Sequence, residues 1–173
     1  MYKVLIVDDE QLIRSGMIAR FQYLNFKFER IREAASGVEA LALLEKEPAD
    51  IVITDIKMPD MDGMTLIREA KEKYPGTQFV ILSGYAEFEY AETAIELGVK
   101  SYLLKPISND ELKRVMRKLF ETLEKERQME VEIFRKHQLE TEQKGWLQEK
   151  AVNHLWQDNA AFLTEEEAAQ LKS

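Results

Sequence analysis

Three carboxylates, a hydroxyl and an ammonium stand where short apolar runs stop. "VLIVDDE" carries four aliphatic residues, Val4 to Val7, straight into Asp8, Asp9 and Glu10. "IVITD" ends on Asp55, "FVILS" on Ser83 and "YLLK" on Lys105. Like charges held a few ångströms apart raise one another's pKa and oppose folding unless a cation sits among them. Mg²⁺ is such a cation: it takes oxygen ligands and keeps several of its waters. Asp9 and Asp55 suit direct contact with it, and Asp8 suits contact either directly or through water. The backbone carbonyl just past Asp55, that of Lys57, is a candidate for a further ligand. With the repulsion offset, Asp55 is suited to act as a nucleophile on phosphorus, since carboxylates form aspartyl-phosphate intermediates. Phosphoryl transfer is mostly positioning and charge neutralisation. Of the three equatorial oxygens, the metal would hold one, the Lys105 ammonium a second, and the Ser83 hydroxyl with nearby backbone N–H groups a third.

For any one of these residues, a solvated loop end or a helix cap is the simpler reading. It does not explain why every long apolar run except the second ends in a charge or a hydroxyl. The elements that must position them follow from the pattern. Strands are predicted at Lys3–Val7, Arg30–Ala34, Ile51–Thr54, Phe79–Leu82 and Tyr102–Leu104. The first, third and fourth read as nearly continuous apolar runs, as strands covered on both faces do. Helical spacing recurs between them: Leu12, Ile13, Met17, Ile18 and Phe21; Val38, Leu41, Ala42 and Leu44; Met64, Leu66, Ile67 and Ala70. Further helices are predicted at Glu87–Leu97 and Asn109–Leu123. Pro48, Pro59, Gly63, Pro75, Gly76, Gly84, Gly98 and Pro106 punctuate the boundaries. Strand–helix alternation predicts an α/β fold, a parallel sheet with helices on both faces. Right-handed crossovers bring every strand's carboxyl end to one rim, where such folds bind ligands. A cis Lys105–Pro106 bond would suit aiming the lysine inward.

Composition bounds the rest. The 173 residues carry a formal net charge of −8 and no cysteine. Acidity argues against a nucleic-acid surface within these residues, because phosphate contact needs a basic patch. Without cysteine there is no disulfide framework or thiolate zinc site, and a cytoplasmic setting is expected. The first apolar run is too short to span a membrane and lacks the flanks of a signal peptide, so no membrane association is expected.

Together, "VLIVDDE", "IVITDIKMPDMDG", "ILSGY" and "YLLKP" resemble the receiver domain of two-component response regulators, over roughly Met1 to Leu123 and in the right order. The resemblance implies the CheY-like, flavodoxin-like fold, five parallel strands in the order 2-1-3-4-5. It implies that Asp55 accepts a phosphoryl group from a sensor histidine kinase, that Asp8 and Asp9 bind Mg²⁺, and that Lys105 contacts the phosphoryl group. It further implies a switch pair: Ser83 turns toward that group and Tyr102 turns inward behind it. "SGYAEFEYAETAIELG" more loosely resembles receivers of regulators with an AraC-type DNA-binding output; ordinary packing is the expectation for Phe88. Three rivals are weaker. A dehalogenase-like Mg²⁺-dependent phosphatase would carry an acid two residues after the nucleophile, where Lys57 stands. A flavin module would need a phosphate cradle where Asp8, Asp9 and Glu10 stand. An interaction-only pseudo-receiver would lack an acid or the lysine.

Beyond Leu123 the sequence becomes highly charged, and residues 124–173 read as a helical extension. Heptads counted from Leu112 put Leu112, Val115, Leu119, Thr122, Glu126, Met129, Ile133, Lys136 and Glu140 at a and d, a seam apolar in its first half and mixed in its second. The fifth helix is therefore expected to run on with modest coiled-coil character. A separate amphipathic helix is expected around Trp146, Leu147, Val152, Leu155 and Trp156. Thr164 and Glu167 form a capping box for another, which predicts continuation past Ser173 into an output domain. Any contact with DNA would come through that domain, and a homodimer would form on phosphorylation. His137 and His154 are expected on the surface or in packing, not in a phosphate relay.

Overall fold

The computed structural model describes residues 1–84, 88–99 and 101–160. Among the described residues, five strands, β1 (Lys3–Val7), β2 (Arg30–Ala34), β3 (Ile51–Asp55), β4 (Gln78–Ser83) and β5 (Ser101–Leu104), alternate with five helices, α1 (Gln11–Tyr23), α2 (Gly37–Lys46), α3 (Gly63–Lys73), α4 (Phe88–Glu96) and α5 (Asn109–Ala160). All strand pairs are parallel, in the order β2-β1-β3-β4-β5. The chain divides into two compact units, Met1–Leu123 and Glu124–Ser173.

Period-two alternation splits the core of the first unit into two layers. Leu5, Val7, Val52, Phe79 and Ile81 point to the side covered by α2, α3 and α4. Val4, Ile6, Ile51, Ile53, Val80, Leu82 and Leu103 point to the side covered by α1 and α5, where they meet Met17, Phe21, Leu112, Met116 and Leu119. The three continuous apolar runs are the three central strands, β1, β3 and β4, and both their faces are buried. At the amino edge, Phe21 lies edge-on to Phe26 and Phe28, and Tyr2 stacks on Phe120 with centroids 5.2 Å apart.

Several sequence expectations shift. β3 and β4 take in Asp55 and Ser83 as their last residues, and β4 and β5 each begin one residue earlier than predicted. Leu12 is 81% exposed, since it lies about 140° around the helix from Met17. In α2 the buried stripe is Gly37, Ala40 and Leu44, while Val38 and Ala42 face outward. Gly37 is covered by the Met61 side chain, so the buried stripe of this helix is not its most apolar one. No separate helix begins near Trp146: α5 is one uninterrupted helix of 52 residues, and Gly145 does not break it. A helical glycine costs only about 1 kcal/mol relative to alanine, and the segment contains no proline. Thr164 and Glu167 lie outside the described residues.

In the second unit every side chain from Arg127 to Leu147 is exposed, including Met129 at 63%, Ile133 at 67% and His137. Among the described residues no helix is long and apolar enough to cross a membrane.

Truncating Phe21 to alanine removes the largest fully buried side chain of the α1–α5 layer and should cost about 3–5 kcal/mol in denaturant unfolding. Leu12→Ala, on the exposed face of the same helix, should change stability by less than about 0.5 kcal/mol.

Candidate functional site

The parallel registers carry the polar residues to one rim. Val7 pairs with Thr54, Asp55 with Leu82, and Ser83 with Leu104, so Asp8 is level with Asp55, Ser83 lies one residue further along the sheet and Lys105 one beyond that. Lys105 Nζ donates to Asp8 Oδ2 at 2.8 Å and to Asp55 Oδ2 at 3.1 Å, joining the ends of β5, β1 and β3. The other oxygens are occupied as well. Asp8 Oδ1 accepts the Glu10 N–H at 2.9 Å, and Asp55 Oδ1 accepts the Ile56 N–H at 2.8 Å. Asp8 is fully buried, Asp55 half-buried and Asp9 exposed, with one carboxylate oxygen of each within 4.8 Å of the others. This oxygen-only donor set, tied to a single ammonium, suits a hard divalent cation.

Ser83 is buried at the end of β4, and its carbonyl accepts the Lys105 N–H at 2.7 Å. The following Lys105–Pro106 peptide bond is cis. Tyr102 is half-buried and packs against the core layer on the α2–α4 side, as does Tyr90. Lys57 lies in the loop after β3, and its ammonium sits 5.9 Å from the centroid of the Tyr90 ring. Tyr85 lies outside the described residues, and so does the side chain of Phe88.

The electrostatics follow from burial and neighbours. Burial pushes the Asp55 carboxyl above its ordinary value of 3.8, and the Asp8 charge adds to this; hydrogen bonds from Lys105 and Ile56 pull only part of the way back. Burial pulls the Lys105 ammonium down, but its bonds to Asp8 and Asp55 outweigh that and hold it above its ordinary value.

Two contributors carried no chemical signal in the sequence. Gly63 read only as punctuation, yet a Cβ there would lie 2.1 Å from the Asp55 carbonyl oxygen. Its N–H donates to the Ile56 carbonyl at 2.8 Å, so the first turn of α3 packs directly on the backbone that carries Asp55. Any side chain at this position would displace that backbone. The loop between them folds tightly because Asp60 adopts the left-handed region at φ 66°, and Asp62 then caps α3 through the Thr65 N–H at 2.7 Å. The second is Arg14, whose guanidinium reaches back to the Asp8 carbonyl at 2.7 Å.

The profile of the response regulator receiver domain matches residues 4–117. The chain belongs to the response regulator receiver family. This receiver is 43% identical over 112 residues to the transcriptional regulatory protein YesN of Bacillus subtilis, covering 65% of this chain and 30% of YesN. It spans less than half the length of the curated relatives it matches. The solved receiver domain of AraT, a response regulator from Geobacillus stearothermophilus, superposes with a TM-score of 0.67 at 43% identity, over 73% of this chain and 98% of that one. A two-component transcriptional regulator AraC from Clostridium phytofermentans gives the same TM-score at 33% identity, over 72% of this chain and 97% of that one. The receiver is thus a two-component signalling domain with the CheY-like fold, similar to receivers of AraC-type regulators.

The raised Asp55 carboxyl has a consequence for stability. A folded pKa above the unfolded value means that folding takes up a proton, so the ionised group opposes folding at all pH values above its folded pKa. In metal-free buffer at neutral pH, Asp55→Asn should therefore melt at a higher temperature than the parent. The gap should narrow as pH falls through the folded pKa toward 3.8. Calorimetric melting across that range with a chelator present checks it.

Proposed function

We propose that residues 1–123 are a phosphoacceptor domain that takes a phosphoryl group from a sensor histidine kinase onto Asp55. The observation that carries this reading is the Lys105 ammonium bridging Asp8 and Asp55, with Asp9 completing a cluster of three carboxylates. In this reading an Asp55 carboxylate oxygen attacks the phosphorus of the kinase's phosphohistidine. The O–P bond forms as the P–N bond breaks, and the leaving electron pair returns to the imidazole. Lys105 moves its donor from Asp55 to one phosphoryl oxygen, and the Ser83 hydroxyl, with adjacent backbone N–H groups, donates to another. Asp8, Asp9, Asp55 and the Lys57 carbonyl would hold Mg²⁺, which when bound neutralises carboxylate and phosphoryl charge. The domain is a signalling element and not an enzyme with an external product, although it assists its own phosphorylation and dephosphorylation.

The phosphoryl group adds charge and three acceptor oxygens at the rim. As Ser83 turns to it, Tyr102 fills the vacated space, and α4 with β5 presents a changed surface. Such a shift extends only as far as the differential contacts of the two states. We take residues 124–173 as a helical linker to a transcriptional output domain, through which alone DNA would be bound. The setting is the cytoplasm, where a kinase's phosphohistidine is available. A pseudo-receiver is disfavoured because every acid and the lysine are present, and a phosphatase because Lys57 stands in place of its general acid.

Incubation with Mg²⁺ and a small phosphodonor should yield one acid-stable, base-labile phosphoryl adduct by intact mass, and Asp55→Asn should abolish it while remaining folded. Labelling of that variant to the parent's level would refute the assignment.

Exposed Met129 and Ile133 on α5 support weak pairing of two chains through this helix, strengthened by phosphorylation. Sedimentation should show a larger mass with a beryllofluoride-type mimic than without it. Equal masses would refute phosphorylation-driven dimerisation, and an equal response from a chain ending at Leu123 would show that the extension takes no part.

A further inference from the structure

The turn that presents Asp8 and Asp9 has an unusual support. It runs from the end of β1 into α1, and the N-cap position of α1 is Glu10, whose side chain makes no capping hydrogen bond. The first turn of α1 holds no acidic residue either. Side chains at the cap normally fix such an entry angle, at about 1 kcal/mol each. Other contacts hold the turn, among them the Lys105 bond to Asp8 already described. The Asp8 N–H donates to the Ala34 carbonyl at 3.2 Å, Asp8 Oδ1 receives the Glu10 N–H, and Arg14 reaches back over the first turn. Arg14 Nη1 lies 2.7 Å from the Asp8 carbonyl and 3.5 Å from that of Asp9. Its Nε donates to Glu33 Oε2 on β2 at 3.2 Å. The Arg14 side chain is only 13% exposed, so these contacts occupy a largely sheltered guanidinium.

We infer that Arg14, anchored on Glu33, is a positioning residue for the metal ligands Asp8 and Asp9. The inference rests on the reading of this rim as a Mg²⁺ site and adds a residue to its machinery. A guanidinium is a rigid planar fork, so bonds to Glu33 and to the Asp8 carbonyl fix the turn relative to β2. A lysine keeps the charge but has no fork to bridge the two partners. Arg14 touches neither the metal nor the phosphoryl group. It acts through the backbone that carries two of the ligands, and groups that orient ligands commonly set metal affinity by an order of magnitude or more.

The test is Mg²⁺ titration of the full chain by calorimetry, alongside the metal-free melting temperature of each variant. Arg14→Met keeps the aliphatic stem and should weaken Mg²⁺ binding about ten-fold. Arg14→Lys should remain several-fold weaker than the parent. Glu33→Gln, which leaves an oxygen acceptor but loosens the anchor, should fall between Arg14→Met and the parent. Phe26→Leu, near the other end of α1, serves as a control that lowers stability without touching the turn, and it should keep the parent's Mg²⁺ affinity. Parent-like affinity in Arg14→Met, whatever its melting temperature, would overturn the inference, and full rescue by Arg14→Lys would overturn the role of the fork. If Arg14→Met does not fold, parent-like affinity in both Arg14→Lys and Glu33→Gln overturns it equally. A parent chain that binds no Mg²⁺ would overturn the reading of the rim itself, and this inference with it.

Discussion

The Lys105 ammonium lies 2.8 Å from a carboxylate oxygen at the end of β1 and 3.1 Å from another at the end of β3. Without that cation, Asp8 would be a fully buried anion beside a second, half-buried one. Uncompensated buried charge costs several kcal/mol, so the arrangement needs a counter-ion as a condition of folding. One ammonium does not balance three carboxylates. The residual negative charge makes the rim receptive to a divalent cation, while burial, with a smaller contribution from the Asp8 charge, holds the Asp55 carboxyl above its ordinary value.

This constraint explains demands made far from the rim. Three charged groups from three strands can meet only if the strands are parallel, in register and rigid. The apolar runs of β1, β3 and β4 meet that demand by being buried on both faces, with α1 and α5 on one side and α2, α3 and α4 on the other. Gly63 meets it locally, since α3 can start against the Asp55 backbone only where no Cβ intervenes. Arg20 of α1 donates to the Ile107 carbonyl, tying the segment after Lys105 to α1 within the same layer. The site is therefore a property of the sheet's carboxyl rim as a whole, and packing changes in the core are transmitted to it through strand ends.

Much of this was legible in the sequence, and for a physical reason. In a parallel sheet every strand ends on the same rim, so a polar residue at the end of an apolar run has a known address before any contact is seen. Asp8, Asp55, Ser83 and Lys105 could be brought together on that ground alone. What stayed hidden depends on three-dimensional reach or on phase. Leu12 and Val38 suit a buried stripe by type, but the stripe of a short helix depends on which residues its neighbours cover, as Met61 covers Gly37 in α2. Arg14 looks like any surface cation until the helix turns it back over the Asp8 carbonyl. The continuity of α5 past Trp146 was missed because a change in amphipathic phase looks, in sequence, like the start of a second helix.

Chemical trapping of the acceptor residue tests the phosphoacceptor assignment at the level of a single side chain. After reaction with a phosphodonor in Mg²⁺, borohydride reduces an aspartyl phosphate to homoserine, which peptide mass spectrometry can locate. Homoserine at position 55, dependent on Mg²⁺ and absent without the donor, is the outcome expected from the geometry of the rim. Homoserine at position 8 or 9, or its absence from a protein that carries the label elsewhere, would contradict it.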